Sequence, residues 1–188
     1  MKKLAVFCGS SNGASNVYIE AAKKMGRELA KRNIALVYGG ASVGIMGAVA
    51  DSVLEEGGQV IGVMPRFLDE REISHKNLTE LIVVDSMHER KAKMADLADG
   101  FIALPGGPGT LEEFFEIFTW AQIGLHQKPI GLLNINHYYD PLVALFNHMT
   151  SEQFMHDKYR TMAIVDAEPN GLLDQFNKYV PPTIKTYN

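Results

Sequence analysis

Leu104-Pro105-Gly106-Gly107-Pro108-Gly109-Thr110-Leu111-Glu112-Glu113 decides how this chain is read. Before it, Gly100-Phe101-Ile102-Ala103-Leu104 is an unbroken apolar run, the pattern of a strand buried on both faces. After it, Phe114 to Leu125 repeats apolar residues at helical spacing. A strand that turns into a helix through three glycines is half of an α/β unit, and its free backbone N–H groups at the helix N-terminus form an anion site. Two readings of the acidic residues follow. In one, Thr110 is an N-cap and Glu113 closes a capping box, with Glu112 and Glu113 suiting the helix dipole. In the other, a phosphate cradle stands beside carboxylates, as cleavage of a phosphorylated sugar from its leaving group requires. The stretch lacks the Gly-Lys-Ser/Thr ending of a P-loop and the third glycine of the dinucleotide fingerprint.

Outward from this turn, strand and helix alternate. Apolar runs at 4–8, 34–38, 59–64, 81–84, 128–133 and 162–165 read as further strands. Helical patterns occupy about 14–31, the stretch up to about Gly57, and then 86–98, 138–149 and 171–179. Such alternation predicts a doubly wound α/β domain, residues 1–188, whose parallel sheet carries helices on both faces. Ligands in such folds bind beyond the carboxyl ends of the strands. Two more glycine-rich turns stand there. Gly9-Ser10-Ser11-Asn12-Gly13 offers hydroxyls and N–H groups, although an ordinary serine-capped turn reads the same. Gly39 to Gly47 holds four glycines (Gly39, Gly40, Gly44, Gly47), which marks close approach by a ligand or by another backbone.

The segment from Arg66 to Asn77, with Glu72 and His75, is a charged loop and says little by itself. Ser86-Met87-His88-Glu89 is a capping box opening a helix in which Arg90 and Lys91 flank an apolar stripe of Met87, Met94, Leu97 and Ala98. Cations that early in a helix oppose its dipole, a local violation of the kind found at functional sites. On the helix after Gly109, Leu111, Phe114, Phe115, Phe118, Ala121 and Leu125 form one apolar face, with Trp120 and Ile123 on the other beside Glu112, Glu116 and Thr119. A tryptophan there predicts a cover, either a ligand or a second copy in a symmetric homodimer.

A chain of 188 residues with 46% hydrophobic content suits a single domain, and a net charge of −4 argues against non-specific nucleic-acid binding. Cys8 is alone, which excludes an internal disulfide and an all-cysteine metal site. The N-terminal apolar run is too short for a signal peptide, and no run is long enough to span a membrane. The expectation is a cytoplasmic protein with no metal, no cofactor and no membrane partner.

Pro105-Gly106-Gly107-Pro108-Gly109-Thr110-Leu111-Glu112-Glu113 resembles the PGGxGTxxE motif of the Lonely Guy family. Met87-His88-Glu89-Arg90-Lys91-Ala92-Lys93-Met94 resembles its other signature, as do Tyr38-Gly39-Gly40 to Gly47 and Thr119-Trp120-Ala121-Gln122 followed by Lys128-Pro129-Ile130-Gly131. The resemblance spans about Lys3 to Tyr179; Pro108 fills a position that varies in the family. It implies a Rossmann-like homodimer that hydrolyses the N-glycosidic bond of adenosine-type nucleoside 5′-monophosphates, giving adenine or an N6-prenylated cytokinin base and ribose 5-phosphate. It also implies that Arg90 and Glu113 are catalytic. By the resemblance Glu72, Lys91, the turn Gly106, Gly107, Pro108, Gly109, Thr110, Leu111 and Glu112, and Thr119 would contact substrate; the two other glycine-rich turns, read from their residues, add Gly9, Ser10, Gly39, Gly40, Gly44 and Gly47 as candidates. Glu113 would then stabilise an oxocarbenium-like state and align or deprotonate a water, while Arg90 pairs with Glu113 or substrate and keeps the carboxylate ionised. Family members are often labelled lysine decarboxylases, yet no lysine stands in a setting that suggests a Schiff base. The rival reading is a nucleotide carrier or sensor without chemistry.

Overall fold

The computed structural model describes residues 1–69 and 74–183. Seven parallel strands form one sheet: β1 (Lys3–Phe7), β2 (Ala35–Tyr38), β3 (Val60–Pro65), β4 (Glu80–Val84), β5 (Phe101–Ala103), β6 (Ile130–Leu133) and β7 (Ala163–Asp166). Their order is β4-β3-β2-β1-β5-β6-β7, so the winding reverses at β1. Between them run α1 (Val17–Lys31), α2 (Gly44–Glu55), the single turn α3 (Arg66–Asp69), α4 (Met87–Leu97), α5 (Pro108–Gln122), α6 (Asp140–Ser151), the short α7 (Asp157–Arg160) and α8 (Pro169–Asn177). No helix among the described residues is long and apolar enough to cross a membrane.

The period-2 geometry of the strands splits the core into two layers. Leu4, Val6 and Cys8 of the first strand and its turn pack with Leu36, Tyr38, Ile102 and residues of α1, α2 and α8. Ala5 and Phe7 point the other way, toward Val37, Phe101, Phe114 and Phe118 beneath α4, α5 and α6. Phe146 of α6 lies 5.2 Å from Phe118 and 6.1 Å from Phe114, ring to ring. That aromatic packing fixes the rotation of α5, and with it the side chains of its first turn.

Most sequence expectations shift by a residue or two. The predicted capping box at Thr110 is replaced by something else: α5 starts at Pro108 with Gly107 as its N-cap, and no side chain caps it. Proline suits the first helical position because its missing N–H would be unpaired there anyway. Thr110 is then inside the first turn and buried, and Glu113 is freed from the backbone. At the other end the helix closes at Gln122, Gly124 adopts a φ of 85°, and Leu125 is 68% exposed instead of sharing the apolar face. Trp120 is half-buried against the α5–α6 layer, so its own chain supplies part of its cover. The Ser86 box forms, its hydroxyl accepting the Glu89 N–H at 3.1 Å, although Glu89 reaches back to the N–H of Asp85.

Candidate active site

The cleft opens where the strand order reverses. β1 pairs with β2 on one side and β5 on the other, which sets the turns leaving β1 and β5 side by side at the carboxyl edge. The turns touch. Gly9 N–H donates to the Pro105 carbonyl at 3.2 Å, and a Cβ on Gly106 would stand 2.8 Å from the Gly9 nitrogen. These two glycines serve a contact of chain on chain.

Beyond the contact, the α5 turn is polarised. The carbonyls of Leu104, Pro105, Gly106 and Gly107 are all taken, by the Tyr139 hydroxyl, the Gly9 N–H, the Tyr138 hydroxyl and the N–H groups of Thr110 and Leu111 in turn. Among the described residues, the N–H groups of Gly106, Gly107 and Gly109 meet no acceptor. A Cβ on Gly107 or Gly109 would project into open space. The turn therefore presents donors, at the positive end of a helix, to something that can come close; a phosphate fits.

A cleft of about 440 Å³ lies in front of this turn. Gly107, Pro108, Gly109, Thr110 and Glu112 border it on one side, Gly9, Ser10 and Gly39 on another, and Arg90 and Glu113 lie at its floor. Glu113 Oε1 is 3.6 Å from the Arg90 guanidinium, and each side chain is barely exposed. Arg90 is anchored from behind: its Nε donates to the Val63 carbonyl at 3.2 Å, and Gly39 leaves the room that its guanidinium occupies. Burial pushes the Glu113 carboxyl up to about 7; Arg90 pulls the other way, Glu112 adds to the rise, Lys91 opposes it and Glu116 adds again. Arg90 favours the ionised carboxylate, as expected of a neighbouring cation, but the burial of Glu113 is the larger effect. A carboxyl poised near neutrality can exchange protons in a reaction run at neutral pH. Cys8 also lines the cleft, and burial first, then the Glu113 charge, push its thiol up, which makes it a poor nucleophile.

Lys91 stands on the other side of α4. Its Nζ donates to Glu112 at 2.7 Å and Glu116 at 3.1 Å, and its pKa is raised by the Glu112 bond first, against the cost of burial. The two cations that violate the helix dipole of α4 are thus both answered by carboxylates of α5. Of the other candidate residues, Leu111 packs into the core layer and Thr119 is exposed, donating to the Phe115 carbonyl. Gly40, Gly44 and Gly47 lie outside the cleft lining. Gly40 and Gly44 have φ of 81° and 59°, and Cβ atoms on Gly44 and Gly47 would strike the backbones of Ser10 and Ser42. For Gly44 and Gly47, the close approach marked by the glycine cluster is to another backbone. Glu72 lies outside the described residues.

What local reading missed is the apolar wall. Met46, Met64, Leu68, Met87 and Met94 line the cleft from α2, the end of β3, α3 and α4. No sequence window contains them together, so no local pattern could announce them.

Residues 46–176 match the family described as "Possible lysine decarboxylase". The chain is 47% identical over 180 residues to a "probable cytokinin riboside 5′-monophosphate phosphoribohydrolase" of Oryza sativa subsp. japonica, covering 96% of this chain and 74% of that protein. It is also 47% identical to a cytokinin riboside 5′-monophosphate phosphoribohydrolase of Arabidopsis thaliana, covering 96% and 83%. Among solved structures, a molybdenum cofactor binding protein from Rippkaea orientalis superposes with a TM-score of 0.70 at 20% identity, covering 94% of this chain and 96% of that one, which shows a shared fold.

Proposed function

This chain belongs to the Lonely Guy family of cytokinin riboside 5′-monophosphate phosphoribohydrolases, and we propose that its cleft hydrolyses purine nucleoside 5′-monophosphates to the free base and ribose 5-phosphate with Glu113 and Arg90 at the reacting centre. One observation carries the assignment of the centre: a buried carboxyl held near neutrality stands at the floor of a cleft whose rim is an anion receptor. The 5′-phosphate binds the free N–H groups of the α5 turn, which sets the ribose over Glu113. As the C1′–N9 bond lengthens, positive charge gathers on the sugar, and a carboxylate beneath it stabilises that charge. Water then bonds to C1′, its proton passes to Glu113, and the base departs with the electron pair of the broken bond. Arg90 holds Glu113 in place from the β3 side.

The family description mentions lysine decarboxylation, whose chemistry starts from a lysine amine with a depressed pKa or a cofactor Schiff base. Lys91, the lysine closest in sequence to the site, is held protonated between two glutamates, the reverse of that requirement. The methionine-lined wall supports a base bearing an apolar N6 substituent, since methionine adapts its shape to apolar groups. The exposed Ile123 and Leu125 beside half-buried Trp120 support a homodimer that covers the C-terminal end of α5.

Incubation with AMP, its N6-isopentenyl derivative and adenosine, with ribose 5-phosphate assayed, tests the reaction. The expected order is prenylated nucleotide, then AMP, then adenosine far behind. Binding of both nucleotides without release of base would make the protein a carrier. Light scattering at micromolar concentration tests the dimer, and a monomer would refute it.

A further inference from the structure

Two tyrosines outside the cleft lining reach the glycine turn from behind. Tyr138 is partly exposed and donates its hydroxyl to the Gly106 carbonyl at 2.6 Å; Tyr139 is buried and donates to the Leu104 carbonyl at 2.6 Å. Their rings meet edge to face at 5.1 Å, and Tyr138 meets Tyr18 of α1 in the same way at 5.9 Å. Tyr18 in turn presses on Gly13 of the first turn, where a Cβ would stand 2.7 Å from its ring. An aromatic brace thus backs both turns of the site. A cavity of about 300 Å³, bordered by Tyr18, Tyr138 and Gly106, adjoins the cleft and shares Gly9, Ser10 and Gly107 with it.

The corner that delivers these tyrosines is strained. Asn136 and His137 both take the left-handed conformation, with φ of 50° and 59°, although neither is glycine. Such residues persist only where their surroundings over-determine them. Asn134 does so here, accepting the Tyr139 N–H at 2.7 Å and donating to Asp140 at 2.7 Å, while the other Asp140 oxygen lies 3.0 Å from His137 Nδ1. The fold tolerates two unfavourable residues in succession and sets two hydroxyls on one turn.

We propose that Tyr138 and Tyr139 are positioning residues of the anion cradle, pinning the carbonyls of the α5 turn so that its N–H groups face the substrate phosphate. In a trans peptide the C=O and N–H point to opposite sides. A hydroxyl that holds the Gly106 carbonyl to the rear therefore turns the Gly107 N–H to the front. Pro105 has no N–H, so Tyr139 fixes where the turn begins and Tyr138 aims the donor. The inference rests on the phosphoribohydrolase reading only for the identity of the anion as a nucleotide's phosphate.

Calorimetric titration with ribose 5-phosphate, which needs no turnover, tests the proposal directly. Tyr138→Phe keeps the ring and removes the hydroxyl. It should weaken ribose 5-phosphate binding about fivefold to tenfold, the scale of one neutral hydrogen bond. The KM for AMP should rise by a similar factor while kcat changes by less than about twofold, and the slow turnover of adenosine, which has no phosphate, should stay as it was. Tyr139→Phe should act in the same direction, and if that variant does not fold, Tyr138→Phe decides alone. A folded Tyr138→Phe protein with unchanged ribose 5-phosphate affinity overturns the proposal. So does an equal loss on adenosine and AMP, which marks a general structural role, and so does an unmodified protein that fails to bind ribose 5-phosphate at millimolar concentration. An unmodified protein that binds ribose 5-phosphate, with affinity lost on Tyr138→Phe, but cleaves neither AMP nor its N6-isopentenyl derivative sinks the hydrolase reading and leaves this one standing.

Discussion

The turns that precede α2 and α5 carry the same signature, a strand followed by several glycines and a helix, yet their glycines are there for opposite reasons. At α5, Gly107 and Gly109 face empty space, and the backbone around them has its carbonyls bound and its N–H groups free. At α2, Gly44 and Gly47 face other backbone, that of Ser10 and Ser42, and Gly44 has a positive φ. One turn is bare over open space, the other is bare so that the chain can pack on itself. Gly39 stands between the two cases, since the space it leaves is filled by Arg90. Glycine count alone cannot separate these uses, because both demand the absence of a Cβ.

Under the proposed function the α5 side carries the chemistry and the α2 side the architecture, and substitutions can break that comparison. Glu113→Gln should have the largest effect, at least about a hundredfold in kcat/KM with the fold intact, if the carboxyl stabilises charge or moves a proton. Loss of a helix cap would instead lower stability by about 1 kcal/mol and leave turnover alone, so kinetics and thermal unfolding on this one variant separate the two. Gly44→Ala should do the reverse. A left-handed φ and overlap with the Ser10 backbone predict a loss of at least about 2 kcal/mol, read by chemical denaturation, with activity following only the folded fraction. Full stability in that variant would erase the distinction between the turns.

The pH dependence sharpens the same comparison. The Glu113 carboxyl is raised from 4.5 to about 7 in the folded protein, so between those values the native state binds more protons than the unfolded one. Stability attributable to this group therefore falls as pH rises through that window. Glu113→Gln should be more stable than the unmodified protein at pH 8, by an amount on the order of 2 kcal/mol, and the advantage should shrink toward pH 5. Denaturant midpoints at both pH values check this, and an advantage that grows on acidification would contradict it. In the enzyme, the rising limb of kcat/KM should centre near pH 7 and vanish in the same variant. The smallest effect belongs to Gly109→Ala, which should raise stability by about 0.5 kcal/mol, as for any glycine early in a helix with room around it. It should nonetheless weaken AMP relative to adenosine, because the new methyl occupies the approach to the cradle. A destabilised Gly109→Ala protein would mean that the open space is not open.

While Arg90 and Glu113 stood out as a pair only through the family resemblance, sequence alone determined the alternation of elements, the parallel sheet and the three turns at its carboxyl edge. These are local properties: a buried strand is an apolar run, a helix repeats every 3.6 residues, and a turn needs glycine wherever a Cβ cannot go. Tertiary structure decided the rest. Thr110 and Glu113 fit a capping box by spacing, and only packing of Phe114 and Phe118 against Phe146 and the start of α5 at Pro108 made Glu113 a buried acid. The cations at Arg90 and Lys91 offended the dipole of their own helix until a neighbouring helix supplied the carboxylates. The methionine wall, the backbone contact at Gly44, and the tyrosines behind Gly106 each join residues far apart in the chain. A proton affinity, a cavity wall and the aim of an N–H group all depend on what surrounds them in space, and that is settled only when the strands fall into their order.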